Sequence, residues 1–359
     1  MKPLPRTEAR PAARARARRL RFFAAACVVL AVFAALAAFE LALRYGGISD
    51  YDRKRPSWDP PERFRKLNQR INEANEAFSR RNRFGFNDRE RSEVKPRGIR
   101  YRIAVLGDSF IWGDGVPYDV IWSHKLERMV AKKAPDVEVL SWGRCGWSTL
   151  DELRFLQKDG IRFRPDLLIV GFVTNDPDVG VYKQKEFPVA AFFSPLHLFF
   201  PDTANALSAR AQKFLYRRVL PGYGYSAWQD LLYTPENLAR YDGVLASFAA
   251  FCKKEGLAVI FVLTPNNYAP GNEDTFDKVK PLFARHGLRV LDTYPAVYRR
   301  LNGRPFEELN ANPANGHPGD PVTSVYADEV FAFLTKDPSC AFLFAPRGGN
   351  PPPPKKEKE

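Results

Sequence analysis

The chain has 359 residues, 45% of them aliphatic or aromatic, which is enough to bury a large α/β core. Its formal charge is +14, but half of that excess lies before residue 22, in Lys2, Arg6, Arg10, Arg14, Arg16, Arg18, Arg19 and Arg21 against Glu8, so the charge belongs to topology and not to a nucleic-acid surface. Four cysteines, Cys27, Cys145, Cys252 and Cys340, follow no zinc or CxxC spacing; this excludes a disulfide scaffold and a cysteine metal centre. The three beyond Cys27 read as small buried packing residues.

In chain order, residues 1–21 read as a basic cytoplasmic tail. Residues 22–39 hold no charged or strongly polar side chain, and apolar character resumes at Leu41 after Glu40. About 20 apolar residues cross the hydrocarbon core as a helix, and basic residues on the amino side keep that end in the cytoplasm. Residues 22–43 are therefore expected to be a single-pass anchor, with the rest of the chain exported. The competing reading is a secretory signal cleaved near Ala35-Leu36-Ala37; the apolar run is longer than a signal core. Residues 44–98 are rich in charged side chains and Asn, with Pro56, Pro60 and Pro61, and read as a juxtamembrane spacer with one polar helix over 61–81.

From residue 99 to 345 strands and helices alternate. Strands are expected at 103–106, 137–140, 167–172, 257–263 and 288–291, each a short apolar run of the kind buried on both faces of a parallel sheet. Helices are expected at 121–131, 151–157 with Ser148 or Thr149 as cap, 274–286 closed by Gly287, and 322–334. The economical answer is a doubly wound parallel five-stranded sheet. Between the third and fourth strands lies an insertion, 179–233, crowded with aromatics such as Phe192, Phe193, Phe199, Phe200 and Trp228. It reads as a helical cap packed on the domain or as a lid over a substrate pocket. The tail 346–359, with Pro351–Pro354 and Lys355–Glu359, has a disordered composition.

The first strand ends in Gly107-Asp108-Ser109, which delivers a serine to the carboxyl end of the sheet, where open α/β folds keep their chemistry. A serine nucleophile needs a base and oxyanion donors. Of the four histidines, His124 falls on the polar side of the first helix, His286 sits at a helix end, and His197 lies inside the aromatic insertion. His317, in the turn-rich segment Asn315-Gly316-His317-Pro318-Gly319, has the placement of a functional side chain. Gly143 and Asn175-Asp176 follow the second and third strands. No G-x-G-x-x-G follows the first strand, which disfavours a nucleotide cofactor, and the histidines are too scattered for metal catalysis.

The order Gly107-Asp108-Ser109, Gly143, Asn175-Asp176, His317-Pro318 resembles the SGNH (GDSL) hydrolase family over about residues 100–334. The stretch from Asn82 to Asn87 also resembles bacterial members with an amino-terminal anchor. The resemblance implies a flavodoxin-like sheet, Ser109 as nucleophile, His317 as base, and an oxyanion hole made by the N–H groups of Ser109 and Gly143 and the amide of Asn175, with no cofactor and no metal. Gly143 has no Cβ, so its N–H can approach a carbonyl oxygen closely, and Asn175 donates without adding charge. Two positions depart from the pattern. The second block opens with Ser141 where Asn is common, and Ala314 stands where an aspartate usually precedes the histidine, leaving Asn315, with Asp108, as supporting groups.

The implied activity is hydrolysis of O-acyl, foremost O-acetyl, esters of an envelope glycan or lipid by a membrane-tethered, periplasm-facing serine esterase at the bacterial inner membrane. An O-acyltransferase would use the same acyl-enzyme with a sugar hydroxyl as acceptor. A catalytically weak glycan-binding protein is the non-enzyme alternative, motivated by the absent aspartate.

Overall fold

The computed structural model describes residues 9–45, 81–185, 187, 189–266, 268, 272–312 and 315–346. The expected helix over 61–81 and the tail beyond 346 lie outside the described residues, save for Arg81. The chain divides into two compact units, one formed by Met1–Pro61 with Phe187–Pro221, the other by Glu62–Glu186 with Gly222–Glu359.

Element by element, helix α1 is Ala9–Tyr45. The α/β unit then begins with β1 (Tyr101–Gly107), the single turn α2 (Ser109–Trp112), α3 (Trp122–Lys133), β2 (Val137–Gly143), α4 (Thr149–Lys158) and β3 (Leu167–Phe172). Helices α5 (Val189–His197) and α6 (Pro201–Phe214) belong to the other unit. The α/β unit resumes with α7 (Tyr225–Leu232), α8 (Pro235–Glu255), β4 (Ala258–Leu263), α9 (Asn272–Arg285), β5 (Arg289–Asp292), α10 (Tyr294–Leu301) and α11 (Phe306–Leu309). It closes with β6 (Asn310–Asn312), β7 (Asn315–Pro318) and α12 (Asp320–Lys336).

The sheet is parallel with strand order β2-β1-β3-β4-β5. This is the flavodoxin-like doubly wound order, with the strand order reversing at β1 and β3. Alternation along β1 decides the two faces: Ile103 and Val105 enter a core with Trp122, Leu126, Val325 and Tyr326 from α3 and α12. Ala104 and Leu106 enter the opposite core with Trp142, Phe172, Phe248 and Phe283, flanked by α4, α8 and α9. Both faces are covered, which is why the strands read as unbroken apolar runs.

Three local expectations change. Residues 81–98 are not spacer but part of the α/β unit: Phe86 is buried, and buried Asp88 pairs with Arg91 at 2.8 Å and accepts from Ser141 N at 3.1 Å. A charged composition reads as solvated, yet here the charges satisfy one another beneath the sheet edge, Arg91 meeting Glu127 at 2.9 Å. His124 is buried rather than on a polar face, its Nδ1 2.9 Å from the Tyr118 carbonyl. Cys252 and Cys340 are buried as expected, whereas Cys145 is exposed because it follows the strand end in a turn.

In the other unit, α1 carries the stretch Arg18–Leu43, long enough to cross a membrane, with a mean hydropathy of 2.7 over its apolar window. Of the insertion, Phe187–Pro221 belongs to this unit, where α5 and α6 pack with each other and α6 with α1.

Candidate active site

Register brings the motif residues to one end of the sheet. Gly107 pairs with Gly143 on β2 and with Gly171 on β3, so the segments that follow, Asp108-Ser109, Arg144-Cys145 and Val173–Asp176, leave the sheet side by side. Asp108 caps α2, accepting from Phe110 N at 2.8 Å, and Ser109 opens the helix. The turn closes at Gly113, whose φ of 77° is open to glycine at little cost.

Ser109 and His317, far apart in sequence, meet: Ser109 Oγ is 2.8 Å from His317 Nε2. His317 does not lie in a loop but on β7, paired antiparallel with β6 in a short hairpin. Gly319 ends that hairpin where a Cβ would overlap the backbone of Asn310, and its N–H donates to Leu309 O at 2.7 Å. The ring of Phe110 packs edge-on to the imidazole at 5.6 Å between centroids. Thus β7 and α2 hold the two partners from opposite sides.

A carboxylate reaches His317 from the turn that follows Ser109. Asp114 Oδ2 lies 3.3 Å from His317 Nδ1. After Gly113 the chain doubles back, and the N–H groups of Gly113 and Asp114 both donate to Ser109 O, at 2.9 and 3.1 Å. The same turn therefore carries Ser109 and Asp114. Sequence reasoning does not single out Asp114, which sits in a glycine-bearing loop; its one signal there is a carboxylate between Gly113 and Gly115, directly after the serine helix.

Electrostatics suit a base that is neutral near pH 7. Burial lowers the His317 pKa below its usual 6.5, and the Asp114 charge opposes that shift. Asp108, fully enclosed, is pushed up to about 6 by desolvation, while its hydrogen bonds to Phe110 and Ser109 work the other way. The Ser109 hydroxyl donates to Asp108 Oδ2 at 3.0 Å, so Asp108 and His317 share it. Deeper still, burial and the Asp108 charge raise the Asp176 pKa, and burial and the Asp176 charge raise that of Glu152. Asp176 Oδ2 accepts from Val173 N at 2.5 Å and shapes the turn that carries Asn175.

Gly143 ends β2 against α2: a Cβ there would overlap the backbone of Trp112 and Ile111. Its lack of a side chain thus serves the packing of α2. The Asn175 amide nitrogen lies 3.5 Å from Trp147 O, on the segment beside Gly143. Asn87 donates to Trp112 O at 2.9 Å and braces the carboxyl end of α2. Asn315 pairs through its backbone with Asn312, and its side chain lies outside what is described, as does Ala314. Among the described residues no cluster of three His, Cys, Asp or Glu side chains could hold a metal ion.

No family model matches the chain, and no curated protein matches it. Solved structures do. An alpha/beta hydrolase enzyme from the metagenome of Lake Arreo, Spain, matches at 16% identity and TM-score 0.41, covering 65% of this chain and 94% of that one. A member of the lipolytic protein G-D-S-L family from Veillonella parvula matches at 14% identity and TM-score 0.39, over 66% of this chain and 100% of that one. A catalytic mutant of an acetylxylan esterase from Geobacillus stearothermophilus matches at 14% identity and TM-score 0.40, over 66% and 94%. It is to these hydrolase structures that the chain is similar.

Proposed function

We propose that this chain is a membrane-tethered serine ester hydrolase of the SGNH (GDSL) type, acting on O-acyl, foremost O-acetyl, esters of an envelope glycan or lipid outside the bacterial inner membrane. The observation that carries the reading is the 2.8 Å contact between Ser109 Oγ and His317 Nε2, backed by Asp114 at Nδ1. His317 Nε2 takes the Ser109 proton as Oγ attacks the acyl carbon. Asp114 steadies the imidazolium that forms. The N–H groups of Ser109 and Gly143 and the Asn175 amide receive the oxyanion. His317 then returns the proton to the departing alcohol oxygen, leaving an acyl-Ser109 ester. Water, deprotonated by His317, attacks that ester and releases the acid and free Ser109.

A second acceptor in place of water would make the same acyl-enzyme an O-acyltransferase. Asp114 beside His317 Nδ1 supports the hydrolase over the non-enzyme reading, which the missing aspartate motivates. Trp112 and Trp147, on the segments that carry the site, each have an arginine over the ring, Arg81 at 5.3 Å and Arg144 at 5.4 Å.

The test is fluorophosphonate labelling of the purified full chain, together with release of acetate from p-nitrophenyl acetate. Labelling is expected in the native chain, lost in Ser109→Ala and weakened in His317→Ala. A folded native chain that neither labels nor releases acetate would refute the reading.

A further inference from the structure

Residues 187–221 hold an apolar run, Val189 to Pro201, broken only by Ser194 and His197. A run of that length is too short to span a bilayer and is typical of a buried core helix or of a re-entrant or interfacial segment. Its large side chains are not those of a core helix: Phe192, Leu198 and Phe199 are 70%, 81% and 69% exposed.

The partner of this segment is α1. The rings of Phe33 and Phe200 meet edge-on at 4.9 Å. Beyond them, the buried side chain of Glu40 accepts the N–H groups of Asp202 at 3.1 Å and Thr203 at 2.7 Å, the first turn of α6. As the chain moves from Phe200 to Thr203, its contacts move from Phe33 towards Glu40, so α6 sets off in the same direction as α1. The buried positions on α6 are small, Thr203, Ala204, Ala206 and Ser208, as in close helix packing within membranes.

Depth follows from helix geometry. Phe33 precedes Leu43, the end of the apolar stretch, by about 15 Å of helix rise, half of a hydrocarbon core of about 30 Å. Phe200 beside Phe33 is then deep in one leaflet. From there α6 climbs about 20 Å to Lys213, Arg217 and Arg218, all exposed, at the height of the headgroups. Tyr216 ties the base of the segment, its hydroxyl accepting from Phe187 N at 3.1 Å and donating to Phe187 O at 3.2 Å.

We propose that residues 187–221 form a re-entrant hairpin that enters the outer leaflet beside α1, with lipid acyl chains as the partner of Phe192, Leu198 and Phe199. This rests on the reading of α1 as a membrane span. It gives Glu40, the lone charge within residues 22–43, a purpose: in hydrocarbon the first N–H groups of α6 have no water to satisfy them, and Glu40 does so.

The experiment uses the full chain, with its four cysteines replaced, in liposomes of phosphatidylethanolamine and phosphatidylglycerol. Nitroxide labels are placed at Leu198→Cys and Phe199→Cys, with Val29→Cys as the reference for the span and Val94→Cys as the reference for water. Collision with oxygen and with a polar nickel complex is read by electron spin resonance, and fluorophosphonate labelling confirms the fold. The expected result is an oxygen-to-nickel ratio at 198 and 199 that matches position 29 and exceeds position 94 severalfold. Ratios at 198 and 199 that match position 94, with position 29 in lipid, overturn the hairpin and leave the span standing. If position 29 is itself in water, span and hairpin fall together.

Discussion

Asp114 is the residue whose role is tested most sharply by pH. In the proposed mechanism imidazole must be neutral to accept the Ser109 proton, so kcat/KM is expected to fall as pH drops through the His317 pKa, which burial holds below 6.5. Asp114 raises that pKa by favouring the cation. Asp114→Asn is therefore expected to move the acid limb to lower pH, while kcat drops by roughly 100-fold or more as the imidazolium loses its counter-charge. A pH–rate profile checks both parts. An unchanged limb with lowered kcat would mean that Asp114 only shapes the turn. Asp108, the neighbour with the conspicuous place in the motif, acts differently, capping α2 and sharing the Ser109 hydroxyl.

At the scale of elements, the site depends on how closely α2 approaches β2. The overlap that a Cβ at Gly143 would make is with backbone atoms of Ile111 and Trp112, which cannot rotate away. Gly143→Ala should displace α2, cost about 1–3 kcal/mol of stability as overpacking does, and slow fluorophosphonate labelling together with it. Calorimetry and labelling kinetics on one preparation would show whether the two losses coincide. The main strands were legible because burial on both faces forces unbroken apolar runs, and α4 because Ser148 and Asp151 form a capping box. The hairpin β6–β7 was not legible. Its Asn-, Gly- and Pro-rich sequence has turn propensity, and only pairing at the mouth of the sheet makes strands of it.

For the whole molecule, the division into two units makes the insertion separable. Both cores of the α/β unit are built from residues outside 187–221. Gly224 N donates to Lys185 O at 2.8 Å, so the two ends of the segment meet within the α/β unit. Replacing 187–221 with a short Gly-Ser linker is expected to leave p-nitrophenyl acetate hydrolysis and the melting of the α/β unit near native values. Loss of hydrolysis in a folded protein would show that the segment is needed at the site.

The sequence by itself determined the parallel sheet, its five strands and the apolar amino-terminal stretch, and singled out Ser109 and His317 as candidates, because these depend on local runs and on residue types that have few other uses. Tertiary structure decided the rest. It placed Asp114 on the turn of Ser109, folded residues 81–98 into the α/β unit through mutually satisfied charges, and paired residues 187–221 with α1. Those outcomes depend on distances between segments remote in the chain, and charge, turn propensity and hydrophobicity read along the sequence carry no record of such distances.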